Sequence, residues 1–191
     1  MQKMAAMEAN TEPYLKTSAW KHAKHRIVWL LVLMLSASIT GAIISKYEAA
    51  FAAVPLLVSF IPMIMDTGGN CGSQSSTLII RGLAVDELRF ADTARIIWME
   101  LRVALLVGLG LAVADSAFIM LRYNDLRLAG VVSAAMLCTV VCAKVTGGLL
   151  PIAAKRLGLD PALMAAPLIT TVVDTVAMFI YFTIASAVFA I

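Results

Sequence analysis

Residues 55–82 read PLLVSFIPMIMDTGGNCGSQSSTLIIRG. The stretch is apolar enough to enter a bilayer, yet its middle holds Asp66, Asn70, Ser73, Gln74 and Thr77 among Gly68, Gly69 and Gly72. A carboxylate and two amides at membrane depth cost on the order of a few kcal/mol each unless they face protein or water. A helix over this stretch is therefore expected to line a polar path, with the other hydrophobic segments housing it.

At about 100° per residue, Asn70, Ser73, Gln74, Thr77 and Arg81 share an arc of about 100° with Asp66. Gly68, Gly72, Ser75, Ser76 and Ile79 lie nearly opposite. One face is a polar stripe, and the other is a small-residue face that lets a second helix backbone approach closely, with Gly68, Gly69 and Gly72 as packing positions. A network of interhelical hydrogen bonds is the structural alternative, and it accounts for the amides alone.

The rest of the chain fits a membrane setting. Of 191 residues, 61% are hydrophobic and 14% charged, and the mean hydropathy is +0.91. Soluble domains are typically about 45–50% apolar, so a multi-spanning membrane protein of one domain is expected. The net charge of +3 comes without a basic patch interleaved with aromatics, which excludes a nucleic-acid partner. Cys71, Cys138 and Cys142 are odd in number, lie in apolar segments and form no CxxC, so no disulfide framework is expected. Cys138 and Cys142, one turn apart, and His22 with His25, on a shared face, read as apolar filler and headgroup-level residues rather than metal ligands.

A membrane span needs roughly 20 mostly apolar residues, and five stretches qualify: about 27–45, 51–83, 96–121, 129–153 and 161–191. Residues 1–18 form a polar lead, and residues 19–191 the five-helix domain. With the N-terminus cytoplasmic, eleven Lys and Arg residues fall inside and three outside (Lys46, Arg122 and Arg127), with Lys144 within the fourth span. That bias sets the orientation and places the C-terminus outside. Pro55 and Pro62 are expected to bend the second span, and Pro151 and Pro167 the fourth and fifth. Asp160-Pro161, a cap followed by proline, marks the start of the fifth.

Asp174 lies deep in the fifth span with no basic residue along that run. Thr170, Ala166, Pro167, Ala177 and Tyr181 share its face at about 100° per residue. Such a carboxylate faces a water-filled cavity or a cation, or pairs with Lys144. Lys144 could equally pair with Asp66 or Asp115, or snorkel. Asp115, toward the outer end of the third span, is expected to reach interfacial water near Arg122.

Asp66-Thr67-Gly68 matches the triplet of soluble aspartic proteases, but that chemistry needs two carboxyls sharing a proton and a β-turn rather than a helix flanked by Ile and Met. No enzyme chemistry is expected. The available ligands are oxygens, which suits hard cations over zinc or copper. One carboxylate with hydroxyls and carbonyls is too sparse for a dehydrated calcium cage but adequate for Mg2+, which keeps several waters. Two chains about a shared axis would put two Asp174 side chains on one ion.

Two motifs then carry a family resemblance. Pro55-x6-Pro62-x3-Asp66-x-Gly-Gly-Asn70-x-Gly72-x-Gln74 and Asp160-Pro161-Ala162…Pro167-x-x-Thr170-Thr171-x-x-Asp174…Tyr181 resemble the second and last transmembrane helices of the MgtE magnesium-channel family, related to eukaryotic solute-carrier Mg2+ transporters. The resemblance implies an all-α homodimeric Mg2+ channel of the plasma (inner) membrane, with five spans per chain and a path along the dimer axis. It implies that Asp174, with the carbonyls of Thr170 and Ala166, recognises hydrated Mg2+, and that Asp160 contributes a cytoplasmic-side site. Asp66, Asn70, Ser73, Gln74, Thr77 and Tyr181 are the expected pore lining. Family members carry a cytosolic N domain and paired CBS domains. Here residues 1–18 resemble only the connecting plug helix, so Mg2+-dependent closure is expected to be weakened. The alternative is a proton- or sodium-coupled transporter using Asp66 or Asp174.

Overall fold

A computed structural model describes residues 14–164 and 166–190; the expected plug-helix remnant at 1–18 falls mostly outside the described residues. Six α-helices follow in order: α1 (Ala19–Lys46), α2 (Glu48–Ala53), α3 (Ile61–Ala84), α4 (Thr93–Tyr123), α5 (Leu126–Arg156) and α6 (Ala166–Phe189). No strand occurs among the described residues.

Local chemistry sets the helix ends. The Ser18 hydroxyl accepts from the Lys21 amide at 3.3 Å and opens α1. Asn124 takes a left-handed conformation, φ 51°, which ends α4, and Asn tolerates this better than most residues. Asp125 then accepts from the Arg127 and Leu128 amides at 2.9 and 3.0 Å and starts α5.

The long second stretch is broken. It divides into α2, a 3-10 segment at Pro55–Phe60, and α3. Pro62 lies in the first turn of α3, where its missing N–H has no intrahelical partner to lose. It starts the helix instead of bending it. The same correction applies at Pro167, the second residue of α6. Pro161 begins a separate 3-10 turn, Pro161–Met164, rather than the final helix. Pro151 does lie inside α5.

Among the described residues, four helices are long and apolar enough to cross a membrane: Ala19–Lys46, Phe90–Tyr123, Leu126–Arg156 and Pro167–Phe189. The fifth expected span, α3, is not among them; its 24 residues carry Asp66, Asn70, Ser73, Gln74, Thr77 and Arg81. α5 is central and packs against α3, α4 and α6, while α1 packs against α6. α1 turns Val28, Leu30, Met34, Leu35 and Ile39 outward. The Thr40 and Thr175 hydroxyls meet at 2.7 Å between α1 and α6. Near the start of α2, Tyr47 and Phe51 pack on Phe182, with ring centroids 5.2 and 4.9 Å apart.

Candidate functional site

The two faces of α3 separate as the helical period requires. Gly68, Gly69, Gly72, Ser75, Ser76 and Ile79 are buried, whereas Asp66, Asn70, Gln74, Thr77 and Arg81 are exposed. The glycines permit contacts that any side chain would block. A β-carbon on Gly68 would stand 2.7 Å from Thr139 Cγ2 and 2.9 Å from Val173 Cγ1, and one on Gly69 would stand 2.9 Å from Thr170 Cγ2. At Gly72 it would stand 2.7 Å from Ile169 Cγ2. Gly147 on α5 is tighter still, since a β-carbon there would strike the Gly72 carbonyl. This partner glycine was not singled out from the sequence, because Gly147-Gly148 in an apolar run carries no polar pattern to mark its face.

That close approach brings two carboxylates to one place. Met65, Asp66, Gly69, Asn70, Thr170 and Asp174 line a cleft of about 200 Å3 between α3 and α6. Asn70 donates from Nδ2 to Asp66 Oδ2 at 3.0 Å, fixing that carboxylate along the helix. The Thr170 and Thr171 hydroxyls both donate to the Pro167 carbonyl, at 3.0 and 2.9 Å. The groove continues along α3 as a second, wider opening of about 680 Å3, lined by Asn70, Ser73, Gln74, Thr77 and Leu78. Thr77 donates back to the Ser73 carbonyl at 2.8 Å. The Ser73 hydroxyl is buried without a hydrogen-bond partner.

Two expected residues lie elsewhere. Asp160 lines a separate cavity of about 340 Å3 with Ile80, Leu83, Ala84, Lys155, Pro161 and Ala162. Its Oδ1 accepts from the Ala162 amide at 3.0 Å, and Lys155 donates to the Leu83 carbonyl at 2.9 Å. Tyr181 departs from the open face: it is 0% exposed, and its hydroxyl donates to the Leu57 carbonyl at 2.9 Å. The 3-10 segment Pro55–Phe60 carries the carbonyl that holds this hydroxyl. Ala166 opens α6, and its side chain lies outside the described residues.

Neither is Asp115 where the sequence placed it. It is 7% exposed, and both carboxyl oxygens are buried without a hydrogen-bond partner, so it does not reach interfacial water. Lys144 turns to the small-residue face of α3. It donates to the Ser75 hydroxyl at 3.5 Å, and Ser75 donates to Glu100 Oε2 at 2.5 Å.

Among the described residues, no three His, Cys, Asp or Glu side chains converge. The arrangement is thus a helical membrane bundle with an open, oxygen-rich groove and two carboxylates at its head. Such a groove offers oxygen ligands of the kind that suit hard cations. Residues 61–184 match the family described as MgtE, divalent cation transporter, and the chain belongs to this family. It is similar to the magnesium transporter MgtE of Thermus thermophilus, 37% identical over 160 residues, covering 84% of this chain and 35% of that protein. It is also similar to magnesium transporter MgtE of Bacillus subtilis, 34% identical over 171 residues, covering 90% of this chain and 38% of that one. For the Enterococcus faecalis protein of the same name the identity is 34% over 166 residues, with 87% and 37% covered. The aligned part of the chain therefore spans little more than a third of the length of these relatives.

Proposed function

We propose that this chain forms the membrane pore of a homodimeric channel that passes hydrated Mg2+ down its electrochemical gradient. The observation that carries the reading is the exposed stripe Asp66–Asn70–Gln74–Thr77, joined to Asp174 in one cleft. Polar side chains at membrane depth must face protein or water, not lipid. A second copy facing this groove across a two-fold axis satisfies them and encloses a wet path. α3 then counts as a fifth span, with the N-terminus cytoplasmic, the orientation the Lys and Arg distribution favours.

Two carboxylates and a few hydroxyls per chain are too few to replace the water shell of Mg2+, which dehydrates reluctantly. Recognition therefore runs through the ion's own waters. Asp174 accepts hydrogen bonds from that shell, and the carbonyls of Thr170 and Ala166 extend the acceptor row along α6. Asp66 and Asn70 hold the opposite wall of the cleft. Asp160, in its own cavity, forms a separate cytoplasmic-side site. Binding of this kind is strong enough to admit the ion and weak enough to release it. The magnesium transporters to which the chain is similar support Mg2+ as the cargo.

The test is Mg2+ uptake into proteoliposomes under a potassium-set potential, with Ca2+ and Mn2+ as competitors. Uptake that rises with potential and needs no proton or sodium gradient is expected. Uptake that depends on either gradient would assign a coupled transporter instead, and no uptake at all would remove the transport reading.

A further inference from the structure

Behind the polar groove, on the buried side of α3, three helices meet through charge. Ser75 on α3 is 1% exposed, Glu100 on α4 8% and Lys144 on α5 5%. The Ser75 hydroxyl accepts from the Lys144 ammonium at 3.5 Å and donates to Glu100 Oε2 at 2.5 Å. The neighbourhood leaves little slack. A β-carbon on Gly147, one turn from Lys144, would stand 3.1 Å from Ser75 Cβ, and one on Gly148 would stand 3.4 Å from Glu100 Cγ. Glu100 also borders a cavity of about 380 Å3 with Glu87, Asp92 and Arg95, where Arg95 and Asp92 face each other at 3.9 Å.

A buried ammonium behind the wall of a cation path is an electrostatic liability. A helix is ~10 Å across, and at that distance an uncompensated unit charge acts on a divalent ion through an effective dielectric of ~20 strongly enough to change its occupancy by tenfold or more. We propose that Glu100 is the counter-charge that screens Lys144 from the permeating cation, with Ser75 as the link that holds the two in register. Glu100 touches no ion. It sets the field of the path through Lys144, and this role rests on the pore reading given above.

The roles of field and of hydrogen bond separate in a double substitution. Glu100→Gln keeps the side chain's shape and its acceptor oxygen but leaves the ammonium uncompensated. In proteoliposomes it is expected to raise the half-saturating Mg2+ concentration, or lower flux at fixed Mg2+, by about tenfold. Glu100→Gln with Lys144→Met removes both charges and is expected to restore flux to within about twofold of wild type. A double variant as impaired as Glu100→Gln would overturn the proposal in favour of simple helix packing, as would a single variant with wild-type flux. Should Glu100→Gln not purify as a folded species, the double variant carries the test alone: near wild-type flux supports the screening role, and a tenfold deficit refutes it. A wild-type protein without Mg2+ flux would instead indict the pore assignment, so the two failures are distinct.

Discussion

Gly147 on α5 lies against the carbonyl of Gly72 on α3, so closely that a β-carbon on Gly147 would collide with it. This contact presses α3 into the bundle and presents its opposite, polar face outward. Gly147→Ala is expected to force the two backbones apart and lower stability by about 1–3 kcal/mol, the usual cost of overpacking. Gly130, also on α5, has nothing within reach of an added β-carbon. Gly130→Ala should leave the thermal unfolding midpoint in detergent unchanged or slightly raised. Equal effects at both sites would refute the contact as the cause.

Asp174 shares its cleft with Asp66 but stands on the helix expected to carry the ion site. Asp174→Ala is expected to cut Mg2+ flux at least tenfold (about 1.4 kcal/mol or more of lost ion stabilisation) while the protein still elutes as a folded species. Asp66→Asn, which keeps a polar group beside Asn70, should cause a smaller loss. Wild-type flux in Asp174→Ala would sink the assignment.

Asp115 points to the opposite outcome. Its carboxyl oxygens are buried and unpartnered, and a polar group in that state costs about 1–3 kcal/mol. Asp115→Leu should therefore raise the unfolding midpoint and keep Mg2+ flux. A loss of flux without a loss of stability would give this residue a part in transport.

Tyr181→Phe removes only the hydroxyl bonded to the Leu57 carbonyl. The change is expected to cost about 1 kcal/mol and to leave flux within about twofold, as measured by thermal unfolding and liposome uptake. A tenfold fall in flux at unchanged stability would restore Tyr181 to the path.

The sequence revealed what repeats along one helix and concealed what depends on its neighbours. The stripe from Asp66 to Thr77 and the glycine face opposite it were legible because polar and small residues alternate at the helical period. Tyr181 obeys the same period as Asp174 yet is buried, because the period gives a face and says nothing of which segment covers it two turns further on. Pro62 and Pro167 were visible as interruptions, but whether a proline bends a helix or begins one depends on the hydrogen bond it would break. Glu100, with Arg102 two residues on, belongs to no polar stripe that a helical period would mark. Its pairing with Lys144 through Ser75 joins three helices, which no local pattern encodes.

The Thr40–Thr175 contact has a direction that follows from counting protons. Each threonine hydroxyl carries one hydrogen, and that of Thr175 is already donated to the Thr171 carbonyl at 3.0 Å. Thr40 must then be the donor across the 2.7 Å gap, giving a one-way chain from α1 through Thr175 to the Thr171 carbonyl. The chain ends in the backbone of α6 beside Thr170 and passes through the residue next to Asp174. α1 is thereby keyed to the height of that carboxylate: sliding it by one turn would take the Thr40 hydroxyl away from Thr175, so the peripheral helix acts as a depth gauge for the Asp174 charge.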